Sequence, residues 1–233
     1  DVDTVFKTEI KDYEPHNYDG KEHGIVSLRQ ALAGSLNTPA VKTLYLTGID
    51  NVLNLAEQMG YSTLKDRSRF GLSLVLGGAE VKLMDHVAAF SAFAREGTMA
   101  PIANILKIED AKGNVLEEWK ESEPIEVLPN NVAREVTSIL SDNASRAFIF
   151  GANNPLTLPD RPVAAKTGTT NDWRDAWTLG FTPSLVTGVW VGNNNNKEMS
   201  KKADGSYVAA PIWQAFMKRA LADTPVENFN QPD

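Results

Sequence analysis

The spacing of apolar residues changes character once along the chain, near residue 160. Before that point apolar positions recur mostly at helical intervals, after a polar, irregular lead-in over residues 1–26 marked by Pro15, Asn17, Asp19, Gly20 and Gly24. Ser27 with Gln30 has the form of a capping box, and the helix it opens runs out near Ser35. Thr38 and Pro39 predict a restart, as an N-cap with proline at the first helical position. Ser35-Leu36-Asn37 is left on a short connection that can aim side chains into a cleft. Val52, Leu55, Ala56 and Met59 predict one face of an amphipathic helix closed by Gly60. An apolar stretch from Leu72 ends in the glycine pair Gly77-Gly78, and a helix rich in small residues is expected from about Val81 to Glu96, stopped by Gly97. The runs 102–108 and 115–119 alternate around Lys112-Gly113-Asn114, as in a β-hairpin. Val132, Val136, Ile139 and Leu140 return to helical spacing.

From Pro162 the period becomes that of strands, predicted over 162–167, 173–181 and 185–192, with Thr182-Pro183-Ser184 turning between the last two. The final strand is apolar on both faces, as in a sheet covered on both sides. Ile212, Trp213, Phe216, Met217 and Ala220 predict the stripe of a C-terminal helix that covers it. Trp177, Trp190 and Trp213 are assigned to the core around the sheet. The expected architecture is α+β, read as one domain: the lead-in, a mainly helical lobe over 27–150 with a hairpin near 102–119, and sheet strands with a closing helix over 160–222.

Composition narrows the function classes. The net charge of −7 over 233 residues, without a basic run, argues against nucleic acid or an anionic membrane as partner. No apolar run approaches 18 residues, so no membrane contact is expected within this chain. The absence of cysteine excludes disulfides, thiol catalysis and thiolate metal sites. His16, His23 and His86 lack partners at metal-ligand spacing and read as surface or packing residues, so neither a metal nor a cofactor is expected. The opening at Asp1, without a methionine or a signal peptide, reads as a fragment or a processed piece.

The strongest chemical signal is Lys166-Thr167-Gly168-Thr169-Thr170 at the end of a predicted strand. The lysine supplies a point charge, the threonines supply hydroxyls beside it, and a glycine in a strand lets another chain lie close to the backbone. An edge strand so equipped can pair with an extended peptide and hold its terminal carboxylate. Asp172, Arg174 and Asp175 follow, and read as a solvated turn rather than as residues tuning the cleft.

Ser35-x-Asn37 and Lys166-Thr167-Gly168 are the second and third members of the motif set serine-x-x-lysine, serine-x-asparagine, lysine–threonine–glycine. Around them the chain resembles the transpeptidase domain of class A penicillin-binding proteins: Asn17-Tyr18-Asp19-Gly20, the run from Gly24 to Val41, Leu76-Gly77-Gly78, Asp175-Ala176-Trp177, the run from Gly188 to Asn193, and Ala210-Pro211-Ile212-Trp213. The resemblance covers about Tyr13 to Leu221. It implies the penicillin-binding transpeptidase or serine β-lactamase-like fold, an antiparallel sheet flanked by helices. It further implies acyl transfer from the D-Ala-D-Ala end of peptidoglycan stem peptides, with β-lactams as mimics of the donor. In that scheme Ser35 relays a proton near the leaving nitrogen, Asn37 holds the substrate amide and the nucleophile's lysine, and Lys166 supports the electrostatics of the serine hydroxyl. Thr167 and Thr169 bind the substrate carboxylate along the Gly168–Thr170 strand end, and the Thr169 N–H forms half of an oxyanion hole.

The first motif is missing in its expected place. The one serine followed three positions later by lysine is Ser62-Thr63-Leu64-Lys65, downstream of Ser35 and just past a helix stop, where it reads as a surface turn. The nucleophile is therefore expected on an upstream segment of the same protein. In the family that segment also supplies two strands and a central helix, so the fold is expected to be incomplete at its N-terminal side and to need that segment as a partner. The resemblance implies an extracytoplasmic location with a membrane anchor in that missing part. Rival readings are a serine β-lactamase or carboxypeptidase, and a non-catalytic module that binds stem peptides or a partner.

Overall fold

Helix α1 (Leu28–Ala33) starts where its cap predicts: the Ser27 hydroxyl accepts from the Gln30 N–H, and the Gln30 carboxamide accepts from the Ser27 N–H. Two donors orphaned by the helix end are thereby satisfied. The computed structural model describes residues 1–8 and 12–233; the part of the expected lead-in at 9–11 lies outside the described residues. Helix α2 (Asn37–Thr47) begins one residue before the predicted Thr38 cap. Its first N–H groups are met from outside, by Asn17 Oδ1, which accepts from Asn37 N at 2.8 Å and from Thr38 N at 3.5 Å. A cap contributed from elsewhere in the chain leaves no local signature, which explains the misplaced start.

Helix α3 (Ile49–Gln58) buries Leu53 and leaves Leu55 exposed, so its apolar stripe is turned from the predicted one. Ile49 and Val52 pack with Phe6, Val41, Leu44 and Leu72, while Met59 joins Ala89, Ala92 and Leu128 on the far side. The apolar stretch Leu72–Leu76 forms a 3-10 turn. Helix α4 (Leu83–Ala94) follows, then the short strands β1 (Thr98–Met99), β2 (Lys107–Glu109), β3 (Val115–Glu118) and β4 (Ile125–Glu126). The β2–β3 hairpin is exposed on both faces and shorter than predicted: beyond the Trp119 N–H to Leu106 O bond at 2.9 Å, residues 102–105 are not part of the strand. Helix α5 (Asn130–Ser141) is followed by α6 (Asn143–Phe150), which the apolar spacing did not single out. Asp142 separates the two and caps the second, accepting from Ser145 N at 2.9 Å.

Strands β5 (Ala164–Thr169), β6 (Asp175–Phe181) and β7 (Val186–Gly192) form an antiparallel sheet in the order β5-β6-β7. The second strand starts two residues later than predicted because Asp172 and Trp173 take left-handed φ values of 61° and 51°, which extended backbone does not accommodate. Both faces of the sheet are covered. On one, Leu140, Ala164 and Phe181 pack with Phe90, Phe93 and Val136 from α4 and α5. On the other lies helix α7 (Ala210–Ala220), whose Trp213 and Met217 are fully buried with Leu156, Leu158, Val163 and Ala165. Ile212 and Phe216 are exposed, so the covering stripe is Trp213, Met217 and Leu221, one residue per turn. The indole of Trp213 fits because β6 carries Gly180 beneath it: a Cβ there would lie 2.4 Å from Trp213 Cζ2.

Candidate active site

The corner between α1 and α2 is held in an unfavourable backbone state. Ser35 has φ 58°, a left-handed value that a non-glycine residue adopts at a cost. That conformation presents Ser35 Oγ to Lys166 Nζ, which donates to it at 2.6 Å and to Thr167 O at 2.7 Å. Both bonds use nitrogen as donor, as an ammonium requires. Burial holds the Lys166 ammonium below the ordinary lysine value, at about 8, and the nearby Arg146 guanidinium acts in the same direction. Two of the three predicted catalytic side chains, distant in sequence, are thus in direct contact. The third, Asn37, lies on the first turn of α2 with its Nδ2 donating to His16 O at 2.7 Å in the lead-in, and among the described residues no hydrogen bond joins its side chain to Ser35 or Lys166.

Strand alternation sends Lys166 and Gly168 to the helical-lobe face of β5, and Thr167 and Thr169 to the other. The second pair meets a π-helical turn, Gly205–Ala209, before α7. Gly205 N donates to Thr169 Oγ1 at 3.0 Å, and Gly205 O accepts from Thr178 Oγ1 at 3.0 Å. The close backbone approach that the sequence suggested for Gly168 belongs to Gly205. A Cβ on Gly205 would lie 2.4 Å from Trp177 O and 2.5 Å from Gly168 O, whereas a Cβ on Gly168 meets nothing nearer than 3.4 Å. Gly205→Ala is therefore expected to cost about 3 kcal/mol, and Gly168→Ala to stay near neutral. Thermal unfolding of both variants checks this; equal losses would place the tight approach elsewhere.

Thr170 Oγ1 donates to Asp175 Oδ2 at 2.8 Å and accepts from Asp175 N at 3.0 Å, so its hydroxyl is engaged within the fold. Asp175 also accepts from Trp190 Nε1 at 2.8 Å. It is consequently a partly buried strut joining β5, β6 and β7, not the solvated turn residue expected; Arg174, paired with Glu198 at 3.0 Å, fits that expectation better. Tyr18 of the lead-in links two further elements: its hydroxyl donates to Asp204 Oδ2 at 2.9 Å and accepts from Trp173 Nε1 at 3.4 Å. Asp204 also accepts from the backbone of Ser206 and Tyr207, which starts the π-helical turn.

Of the histidines, His16 lies on the surface and His86 in the packing. His86 Nδ1 sits 2.5 Å from Tyr61 Oη, with Phe90 and Trp177 edge-on around the ring, and burial lowers its pKa to about 4. Ser62 is exposed and its Oγ donates to Asp85 Oδ2 at 2.6 Å, while Lys65 is exposed as well. Sequence reasoning did not find Arg146 on α6, which lies behind Lys166: a single arginine in an unrecognised helix gives no signal. It also did not find the capping role of Asn17, although that residue stands in one of the recognised runs. Among the described residues no helix is long and apolar enough to cross a membrane, and no group of three or more His, Asp or Glu residues is placed to hold a metal ion.

A family model for the penicillin binding protein transpeptidase domain matches residues 2–218. Over 223 residues the chain is 43% identical to penicillin-binding protein 1A of Aquifex aeolicus, a match covering 95% of this chain and 29% of that protein. Penicillin-binding protein 1A of Neisseria flavescens is 31% identical over 228 residues, covering 96% of this chain and 28% of the relative. The chain thus spans under a third of the length of these curated relatives. Among solved structures, penicillin-binding protein 1A of Haemophilus influenzae superposes with a TM-score of 0.86 at 22% identity, over 100% of this chain and 40% of that one, a likeness of fold. The PonA1 protein of Mycobacterium tuberculosis in complex with penicillin V gives 0.83 at 28% identity, over 98% of this chain and 65% of that one. A match running from residue 2 to residue 218 leaves one assignment: the chain belongs to the transpeptidase domain family of penicillin-binding proteins, in its class A, 1A-type branch.

Proposed function

We propose that this chain forms the greater part of a serine-type transpeptidase site that crosslinks peptidoglycan stem peptides. The observation that carries the reading is the 2.6 Å contact between Lys166 Nζ and Ser35 Oγ, which supports a proton path between the two motif sites beside a strand that is at the sheet edge among the described residues. The nucleophilic serine and its lysine are supplied by a segment of the same protein outside this chain. That serine attacks the carbonyl of the D-Ala-D-Ala amide: the serine O–C bond forms, the C–N bond breaks, and the last D-alanine departs as the amine. The acyl group then passes to an amine of a neighbouring stem peptide. Ser35 delivers a proton to the leaving nitrogen, with Lys166 behind it, and Asn37 orients the substrate amide. Thr167 and Thr169 bind the terminal carboxylate on the Gly168–Thr170 strand end, and the Thr169 N–H forms half of the oxyanion hole. β-Lactams enter as donor mimics.

The whole protein works outside the cytoplasm, anchored to the membrane through its other part. The unpaired outer edge of β7 among the described residues, and the exposed Ile25, Leu28 and Leu46, support a further segment completing the fold.

Fluorescent penicillin tests this reading. The complete domain with its upstream segment is expected to form a covalent adduct that survives denaturation, and the 233-residue chain alone to stay unlabelled. Stem-peptide binding by the complete domain without any adduct would favour a non-catalytic binding module instead. An adduct on Ser62 of the isolated chain would move the nucleophile into this segment.

A further inference from the structure

Arg146 on α6 is a permanent cation with 2% of its surface exposed, and among the described residues it forms no ion pair. Its Nη1 donates to Ala165 O at 3.3 Å, the carbonyl next to Lys166 in β5, and its Nη2 donates to Leu140 O at the end of α5. Its Nε has no hydrogen-bond partner. A buried charge satisfied only by two carbonyls is costly to keep, and the same grip would be made more cheaply by a neutral donor. The charge itself therefore calls for a use, and the nearest titratable group along β5 is Lys166.

We propose that Arg146 is a positioning residue for acyl transfer, fixing β5 and setting the charge around Lys166 so that Lys166 hands a proton through Ser35 to the leaving nitrogen. This rests on the reading above of Ser35 and Lys166 as the proton path. The proton balance is simple: Nζ–H passes to Ser35 Oγ, the Ser35 hydroxyl proton passes to the departing amine, and Lys166 is left neutral until solvent or the incoming amine reprotonates it. A cation behind an ammonium favours release of its proton. Burial already acts in that direction, and among the described residues Arg146 is the charged group that adds to it. The other charges on elements packed around β5 are engaged or remote from Lys166. Asp142, at the α5–α6 junction, is bound to Ser145 and Arg29; Arg134 on α5 is bound to Glu96; Glu135 on α5 is exposed. Asp175 on β6 is bound to Thr170 and Trp190, and Asp204 before the π-helical turn to Tyr18 and Ser206.

The experiment is the pH profile of penicillin acylation in the complete protein, for wild type, Arg146→Lys, Arg146→Gln, Arg146→Met and Asp142→Asn, with thermal unfolding alongside. Because the protonated form of Lys166 acts, the wild-type rate falls as pH rises through about 8. In Arg146→Gln, which keeps a donor but loses the charge, that alkaline limb is expected to move upward by about half to one pH unit. Arg146→Lys, which keeps the charge but loses the fork, holds the midpoint near wild type while lowering the rate. Arg146→Met, neutral and of similar length, is expected to share the upward shift and decides the matter if Arg146→Gln does not fold, while Asp142→Asn, which leaves Arg146 charged, keeps the midpoint near wild type. Lower rates or melting temperatures with an unmoved midpoint in both Arg146→Gln and Arg146→Met would overturn the proposal and leave Arg146 a structural clamp. No adduct in the wild type would instead overturn the transpeptidase reading on which it stands.

Discussion

Replacing Lys166 by alanine in the complete domain lowers the rate constant for penicillin acylation by about 10²–10⁴-fold, the range over which a positioned proton donor contributes. Lys166 Nζ has two partners, Ser35 Oγ at 2.6 Å and its own strand's Thr167 O at 2.7 Å, so its loss strips the serine hydroxyl of the group that polarises it. Ser35→Ala is expected to lose a similar amount, because in the proposed path its hydroxyl carries the proton from the ammonium to the leaving group. Since the two side chains act as one unit, the double variant should be no slower than the slower single variant. Stopped-flow measurement of single-turnover acylation reads all three. Losses that multiply would mean that Ser35 and Lys166 act independently, and the proton path would be abandoned. Thermal stability should fall little in Lys166→Ala, since the removed group is a cation held below its usual pKa by burial.

The second large effect lies in the core. Trp213→Ala should cost about 3–5 kcal/mol of stability, the range for deleting a buried aromatic side chain. Trp213 is fully buried, lies against the α7 face of the sheet, and occupies the space that Gly180 leaves open. Its Nε1 has no hydrogen-bond partner, so the loss is one of packing alone. Phe216, three residues on along the same helix, is exposed, and Phe216→Ala should stay within about 0.5 kcal/mol of the parent. Urea unfolding midpoints separate the two. Similar shifts in both variants would mean that the helix rests on the sheet with a different face.

That helix shows what the sequence could and could not convey. Its existence and approximate extent follow from apolar spacing, but Ile212 and Phe216 are as apolar as Trp213 and Met217, so which of them faces the sheet is settled by the partner surface. Helix α3 repeats the point with Leu53 and Leu55. Elements whose ends are closed by their own residues were legible: Ser27 with Gln30 marks the start of α1, and the turn after Phe181 marks the end of β6. Elements closed from a distance were not, as with α2, whose cap is Asn17. In the site, Ser35 and Lys166 stood out as residue types in recognisable settings. Arg146 and Gly205 did not, because their effect comes from where the fold brings a guanidinium and a bare backbone.

The lead-in holds none of the residues assigned to the reaction, yet it touches both sides of the candidate site. Asn17 and His16 secure the Ser35–Asn37 corner, while Tyr18 reaches Asp204 and through it the turn that supports Thr169. For a member of a family that captures penicillin, exchanges at positions 16–18 are therefore expected to loosen the Ser35–Asn37 corner and the turn at Thr169 together, which slower penicillin acylation of the complete protein in an Asn17→Ala variant would register.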